Sequence, residues 1–137
     1  MRLRVFLVIS FEIPGKPVPQ ERRVQVRGGW SFDPAKSRKA KRLVKLCALA
    51  ARPAGSSPTD RSFIVEIVFY GPHWGSDLDN LAKLVLDGMK GVFWVDDHQV
   101  CELILRKIRV PKGNEKTVVR VTELRPQTIE EMKKGKS

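Results

Sequence analysis

The sequence lacks the features that mark several protein classes. Two cysteines, Cys47 and Cys101, are too few among 137 residues for a disulfide scaffold, and they have no metal-site spacing. They read as reduced thiols of a cytoplasmic protein. The apolar run Val5-Phe6-Leu7-Val8-Ile9 is far too short to span a bilayer. Arg2 and Arg4 precede it, as in a signal peptide, but Ser10 and Glu12 interrupt the stretch and no small-residue cleavage site follows. The run is therefore expected to be a buried first strand, with no membrane partner. There is no internal repeat. Acidic residues are scarce: 15 Asp and Glu stand against 26 Lys and Arg, a net charge of +11. That surplus argues against a cationic substrate and points to a polyanion, nucleic acid first. With 42% hydrophobic and 30% charged residues, the chain is an ordinary globular one with a single core.

The charge is uneven. Residues 1–60 hold 13 Lys/Arg and 4 Asp/Glu, a balance of +9, whereas residues 61–137 hold 13 and 11, a balance of +2. The first part is the expected footprint for a phosphate backbone. The second part runs against the trend: Asp77, Asp79, Asp87, Asp96 and Asp97 fall within 21 residues. Carboxylates facing phosphates repel them unless cations sit between. Divalent-metal phosphodiester cleavage supplies such cations.

Hydrophobic patterning gives the coarse order of elements. Residues 3–13 read as a strand, and the proline-rich Pro14–Pro19 as a loop. Residues 22–27 alternate before Gly28-Gly29, which predicts a two-stranded ribbon with Trp30-Ser31-Phe32 and arginines on one side. Asp33 is placed as the N-cap of a helix from Pro34 to about Arg52, whose first turns carry Lys36, Arg38, Lys39, Lys41, Arg42 and Lys45. A strand follows at 62–70, with Phe63, Val65, Ile67 and Phe69 on one face. A second helix begins near Ser76–Asp79 and buries Leu81, Leu84, Val85, Gly88 and Met89. Its opposite face carries Asp79, Lys83, Asp87 and Lys90 within about 80°, at about 100° per residue. Leu86 sits inside that polar stripe, a sign of a covered surface such as a subunit contact. Strands at 99–110 and 116–124 are joined by a hairpin-like turn, Pro111–Glu115. The fold class is α+β: a small mixed β-sheet with two main helices packed on it, one domain over residues 1–125 and a polar tail over 126–137. The expected core is Val5, Leu7, Ile9, Leu43, Cys47, Phe63, Val65, Ile67, Leu81, Leu84, Val85, Met89, Leu103 and Val119.

The sharpest motif is Asp77-Leu78-Asp79-Asn80-Leu81-Ala82-Lys83. Two aspartates two residues apart at a strand-to-helix junction can aim their carboxylates the same way, with Lys83 one turn beyond Asp79. A strand–helix–strand excursion would then bring Asp96 or Asp97 close to them. Mg²⁺ takes oxygen ligands and keeps several waters, so two or three carboxylates suffice. A lysine beside them would steady the negative charge that builds on a phosphoryl group. Simpler accounts stand beside this one. Ser76 or Asp77 would be an N-cap, Asp79 and Lys83 an i,i+4 ion pair, and Asp96-Asp97 a polar turn. Asp87 is placed as an i,i−4 partner of Lys83. His73 and His98 are given no role, and Trp74 and Trp94 are assigned to packing.

These residues also carry a resemblance. Asp77-Leu78-Asp79-Asn80-Leu81-x-Lys83, followed by Phe93-Trp94-Val95-Asp96-Asp97-His98-Gln99-Val100, resembles the signature of the RusA family of Holliday-junction resolvases. The segment Gly15-Lys16-Pro17-Val18-Pro19-Gln20-Glu21-Arg22-Arg23-Val24 is similar to that family's proline- and arginine-rich entry segment. The resemblance implies a homodimeric, Mg²⁺-dependent endodeoxyribonuclease, with Mn²⁺ as a substitute, that binds four-way DNA junctions and resolves them by paired symmetric nicks. No small-molecule substrate is implied. By motif position, Asp77, Asp79 and Asp97 would be the metal-binding catalytic carboxylates, and Lys83 the essential lysine. DNA contacts are assigned to Lys16, Arg22, Arg23, Arg27, Lys36, Arg38 and Lys39. The competing classes are a non-catalytic nucleic-acid-binding module and a less selective nuclease of branched DNA.

Overall fold

Alternating apolar residues in four long segments dictate a sheet with one covered face. The computed structural model describes residues 2–72 and 75–134. Its strands are β1 (Leu3–Pro14), the short β2 (Val24–Gln25) and β3 (Ser31–Phe32), β4 (Ser62–Gly71), β5 (Val100–Arg109) and β6 (Lys116–Pro126). Helices α1 (Ala35–Ala51) and α2 (Leu78–Met89) are the main ones, and α3 (Ile129–Lys134) lies in the tail. The main sheet has the order β1-β6-β4-β5, and β2 and β3 form the separate ribbon. β4 and β5 run parallel, and the other pairs are antiparallel, so the sheet is mixed. No described helix is long and apolar enough to cross a membrane.

The covered face is set by β4. Phe63, Val65, Ile67 and Phe69 are buried in one cluster with Val44 and Ala48 of α1 and Leu81, Leu84, Val85 and Met89 of α2. Ile64, Glu66, Val68 and Tyr70 point the other way and are half-exposed. α1 and α2 approach closely at Gly88. A Cβ there would lie 2.8 Å from two Val44 side-chain atoms and 3.0 Å from the Lys41 carbonyl oxygen, so only glycine lets the helices meet.

Several expectations are corrected. β1 is an edge strand, not a buried one: Val5 is 56% exposed, and Phe6, Leu7 and Val8 are exposed too. A bulge between Val5 and Leu7 shifts the register, so Ile9, Phe11 and Ile13 carry the strand's inner face. Leu43 and Leu103 are exposed rather than core. The core instead includes Val92, Phe93 and Trp94, from the segment after α2. β5 and β6 do not form a hairpin, because β4 lies between them. Pro34, not Asp33, occupies the N-cap of α1, and no side chain caps that end.

Candidate active site

The β4–α2–β5 unit builds the site. Because β4 and β5 are parallel, α2 must carry the chain back from the end of β4 to the start of β5. Its 12 residues span about 18 Å, at about 1.5 Å each. Asp77 and Asp79 therefore sit where the chain leaves β4, and Asp97 sits where it enters β5. Between them, a groove of about 310 Å³ is lined by Asp79, Ala82, Lys83, Leu86, Asp87, Asp97, Leu103 and Leu105. Asp79, Lys83, Asp87 and Asp97 all line this groove, but the chain does not return beside its starting point as expected: with β4 and β5 parallel, the start of β5 lies at the other end of the sheet from the start of α2. Asp77 is exposed at the N-cap of α2 and is not part of the lining. Among the described residues, no three His, Cys, Asp or Glu side chains are grouped so as to hold one ion. Leu86 interrupts the polar stripe of α2 because it forms the groove's wall with Leu103 and Leu105.

The two acidic segments are held differently. Asp77 takes extended backbone at the N-cap, and its carbonyl accepts from Leu81 N–H at 3.1 Å, but its carboxylate makes no capping bond. Asp79 Oδ1 accepts from the N–H of its neighbour Asn80 at 2.9 Å. The approach to α2 is tied to β5, since Lys107 Nζ donates to the Ser76 carbonyl and Arg109 Nε to the Pro72 carbonyl. The entry segment reaches the same place. Gln20 N–H donates to the Asn80 carbonyl at 3.0 Å, and Glu21 N–H to the Oγ of buried Ser37 at 3.2 Å. His73 and Trp74 lie outside the described residues.

Asp97 stands on a denser lattice. The fully buried Trp94 donates its Nε1–H to Asp97 Oδ1 at 3.1 Å, and its ring packs against Phe63 and Phe93. Gln99, 8% exposed, accepts from the N–H groups of Val95 and Asp96 at 2.8 Å each. Its Nε2 donates to the carbonyls of Thr59 and Arg61 at 2.7 and 2.8 Å. One amide thus fixes the acidic turn to the loop before β4. Sequence reasoning passed over Gln99 as a function-bearing residue. The available signal was a polar residue directly after an acidic turn and before an apolar strand. At Asp96, burial pushes the carboxyl up, but the Asp97 N–H and the His98 ring outweigh it, and the carboxyl lies below its usual range.

The expected ion pairs are not the ones formed. Among the described residues Asp79 and Lys83 form no ion pair, and Asp87 lies 3.6 Å from Lys41 Nζ of α1, not on Lys83. Lys41 also meets Asp33 at 2.7 Å, and Arg23 meets Asp33 at 3.1 Å. The Lys41 hydrogen bond, aided by the Arg23 charge, holds the Asp33 carboxyl below its usual range despite desolvation. Arg23 further donates to Ser31 Oγ and the Ser31 carbonyl, so its guanidinium is engaged within the ribbon. Among the described residues, Asp77, Asp79, Lys83 and Asp97 have no ion-pair partner, in a chain of net charge +11. Cys47 and Cys101 are both free thiols, and burial pushes the Cys47 thiol up.

The donor set is chemically suited to a hard divalent cation, since it offers carboxylate oxygens and no soft ligand. The family model described as Endodeoxyribonuclease RusA matches residues 14–122. No curated protein matches the chain.

Proposed function

The chain belongs to the RusA endodeoxyribonuclease family, which implies Holliday-junction resolvase activity, and we propose that it resolves four-way DNA junctions by paired symmetric nicks that depend on a divalent metal. The observation that carries this reading is the single groove lined by Asp79, Lys83 and Asp97, which have no ion-pair partners among the described residues. Unneutralised carboxylates on a strongly basic protein repel DNA phosphates unless a cation joins them.

Asp79 and Asp97, which line the groove, would offer carboxylate oxygens to Mg²⁺ or Mn²⁺, and Asp77 would offer one from the exposed start of α2. When bound, such an ion would supply Lewis-acid activation of the attacking water and charge neutralisation at the leaving 3′ oxygen. Lys83 places an ammonium beside the phosphoryl oxygens as their charge rises. Leu86, Leu103 and Leu105 form an apolar wall beside Lys83. Trp94 and Gln99 hold Asp97 in place, as outer partners of a metal ligand do. Lys16, Arg22, Arg27, Lys36, Arg38 and Lys39 contact flanking phosphates, whereas Arg23 braces the ribbon. A homodimer supplies two symmetric sites for two symmetric cuts.

The test separates binding from cutting. Asp77→Asn, Asp79→Asn and Asp97→Asn are each assayed for cleavage of a labelled four-way junction and for junction binding by mobility shift. Cleavage is lost and binding survives. Asn variants that still cut overturn the assignment. Comparing junction, flap, duplex and single strand as substrates measures selectivity.

A further inference from the structure

The cations of α1 divide into two groups that the sequence does not separate. Arg38, Lys41, Arg42 and Lys45 fall within about 100° of the helix surface, at about 100° per residue. They line a cleft of about 340 Å³ together with Asp87 and Gly88 of α2. Lys36 and Lys39 instead line a separate cavity, with Lys16 and the Pro14–Val18 segment. Asp87 belongs both to the basic cleft and to the acidic groove, so the two are adjacent. Lys41 is occupied by Asp33 and Asp87. Arg38, Arg42 and Lys45 have no ion-pair partner among the described residues.

The helix is charged against its own dipole. α1 has no acidic residue in its first turn and no basic residue in its last. Its cations are packed toward the N-terminal end, where the macrodipole is already positive. The dipole acts only over that first turn, but Arg42 and Lys45 add like charges one and two turns further along the same face as Arg38, and an anion relieves their mutual repulsion.

We propose that Arg38, Arg42 and Lys45 form a phosphate-binding cleft that grips the DNA backbone beside the scissile linkage, with the Lys41–Asp87 pair as the partition between the gripping and cutting compartments. This rests on the nuclease reading for the identity of the polyanion, but its test does not depend on cleavage. The ligand is the phosphodiester backbone of one strand, read without regard to base sequence.

The experiment measures the affinity of the full chain for labelled junction and duplex across a series of NaCl concentrations without divalent metal. Arg42→Gln/Lys45→Gln removes two cations from the cleft. Arg106→Gln/Arg120→Gln removes the same charge from the opposite face of the sheet, where Arg106 pairs in register with Val68 and Arg120 with Glu66. The cleft variant lowers the slope of log affinity against log salt by about 1.8, at about 0.9 per lost phosphate contact on duplex. The control double variant leaves the slope unchanged. Arg42→Lys/Lys45→Arg keeps the wild-type slope, which excludes misfolding of α1 as the cause. An unchanged slope in the cleft variant, or an equal fall in the control, overturns the proposal. If wild-type protein fails to cut with Mg²⁺ yet shows the same slope changes, the nuclease reading falls and the cleft stands.

Discussion

The two acidic segments of the groove differ in how the chain holds them. Asp97 rests on a buried indole and on an amide whose four hydrogen bonds tie two backbone segments together. Asp77 and Asp79 sit on an exposed helix start where the carboxylates have at most a neighbouring N–H. The difference teaches a division of labour. One side of the groove is fixed before any ligand arrives; on the other the backbone is tied but the exposed Asp77 and Asp79 side chains keep rotamer freedom to adjust to it. Preorganised groups lower the cost of binding a charged ligand, while adaptable ones let the coordination close around it.

Substitutions can break this contrast, and they rank by size. Asp79→Asn or Asp97→Asn is expected to reduce junction cleavage by more than the roughly 100-fold that loss of an outer partner costs. The unfolding midpoint should move little in Asp79→Asn, where the amide oxygen can still accept from the Asn80 N–H. Gln99→Ala strips partners from two N–H groups and two carbonyls, and should destabilise the fold by about 3 kcal/mol while weakening cleavage about 10- to 100-fold. Denaturant melts and cleavage rates measured side by side check both values. If Gln99→Ala proves harmless to cleavage, the fixed half of the groove is not needed for function.

Gly88→Ala probes the frame shared by both halves. The new methyl meets Val44 and the Lys41 carbonyl, so a loss of about 1–3 kcal/mol is expected in a urea melt. The smallest effect belongs to Asp33. Its folded pKa lies below the unfolded one, so its contribution is complete above the ordinary carboxylate range and fades as pH falls through the depressed value. Asp33→Asn should therefore lower stability at pH 7 and flatten the acid limb of the stability profile. An acid limb identical to wild type would contradict the Arg23–Asp33–Lys41 network.

Much of this was legible in the sequence. The strand at 62–70 alternates cleanly, and its four inward residues are all buried. The α2 period placed Asp79 and Lys83 on the face that lines the groove. What escaped was non-local. The turn at Pro111–Glu115 has the local chemistry of a hairpin, yet β4 takes the place between β5 and β6, and sheet order depends on partners distant in sequence. Val5 and Leu7 are as apolar as core residues, but an edge strand with a bulge leaves them exposed. Asp87 has Lys83 as a helical neighbour, but its ion pair is with Lys41 of another helix. Gln99 looked like an ordinary polar residue because its four partners come from two segments some 40 positions apart.

The central claim is that the carboxylates lining this groove serve metal-dependent cleavage of branched DNA. Incubating the purified chain with a labelled four-way junction, in Mg²⁺ and in parallel with excess EDTA, tests it most directly. The account predicts paired symmetric nicks in Mg²⁺, none in EDTA, and none from Asp79→Asn in either. Equal cutting with and without the chelator, or tight junction binding with no cutting under any divalent ion, would contradict it.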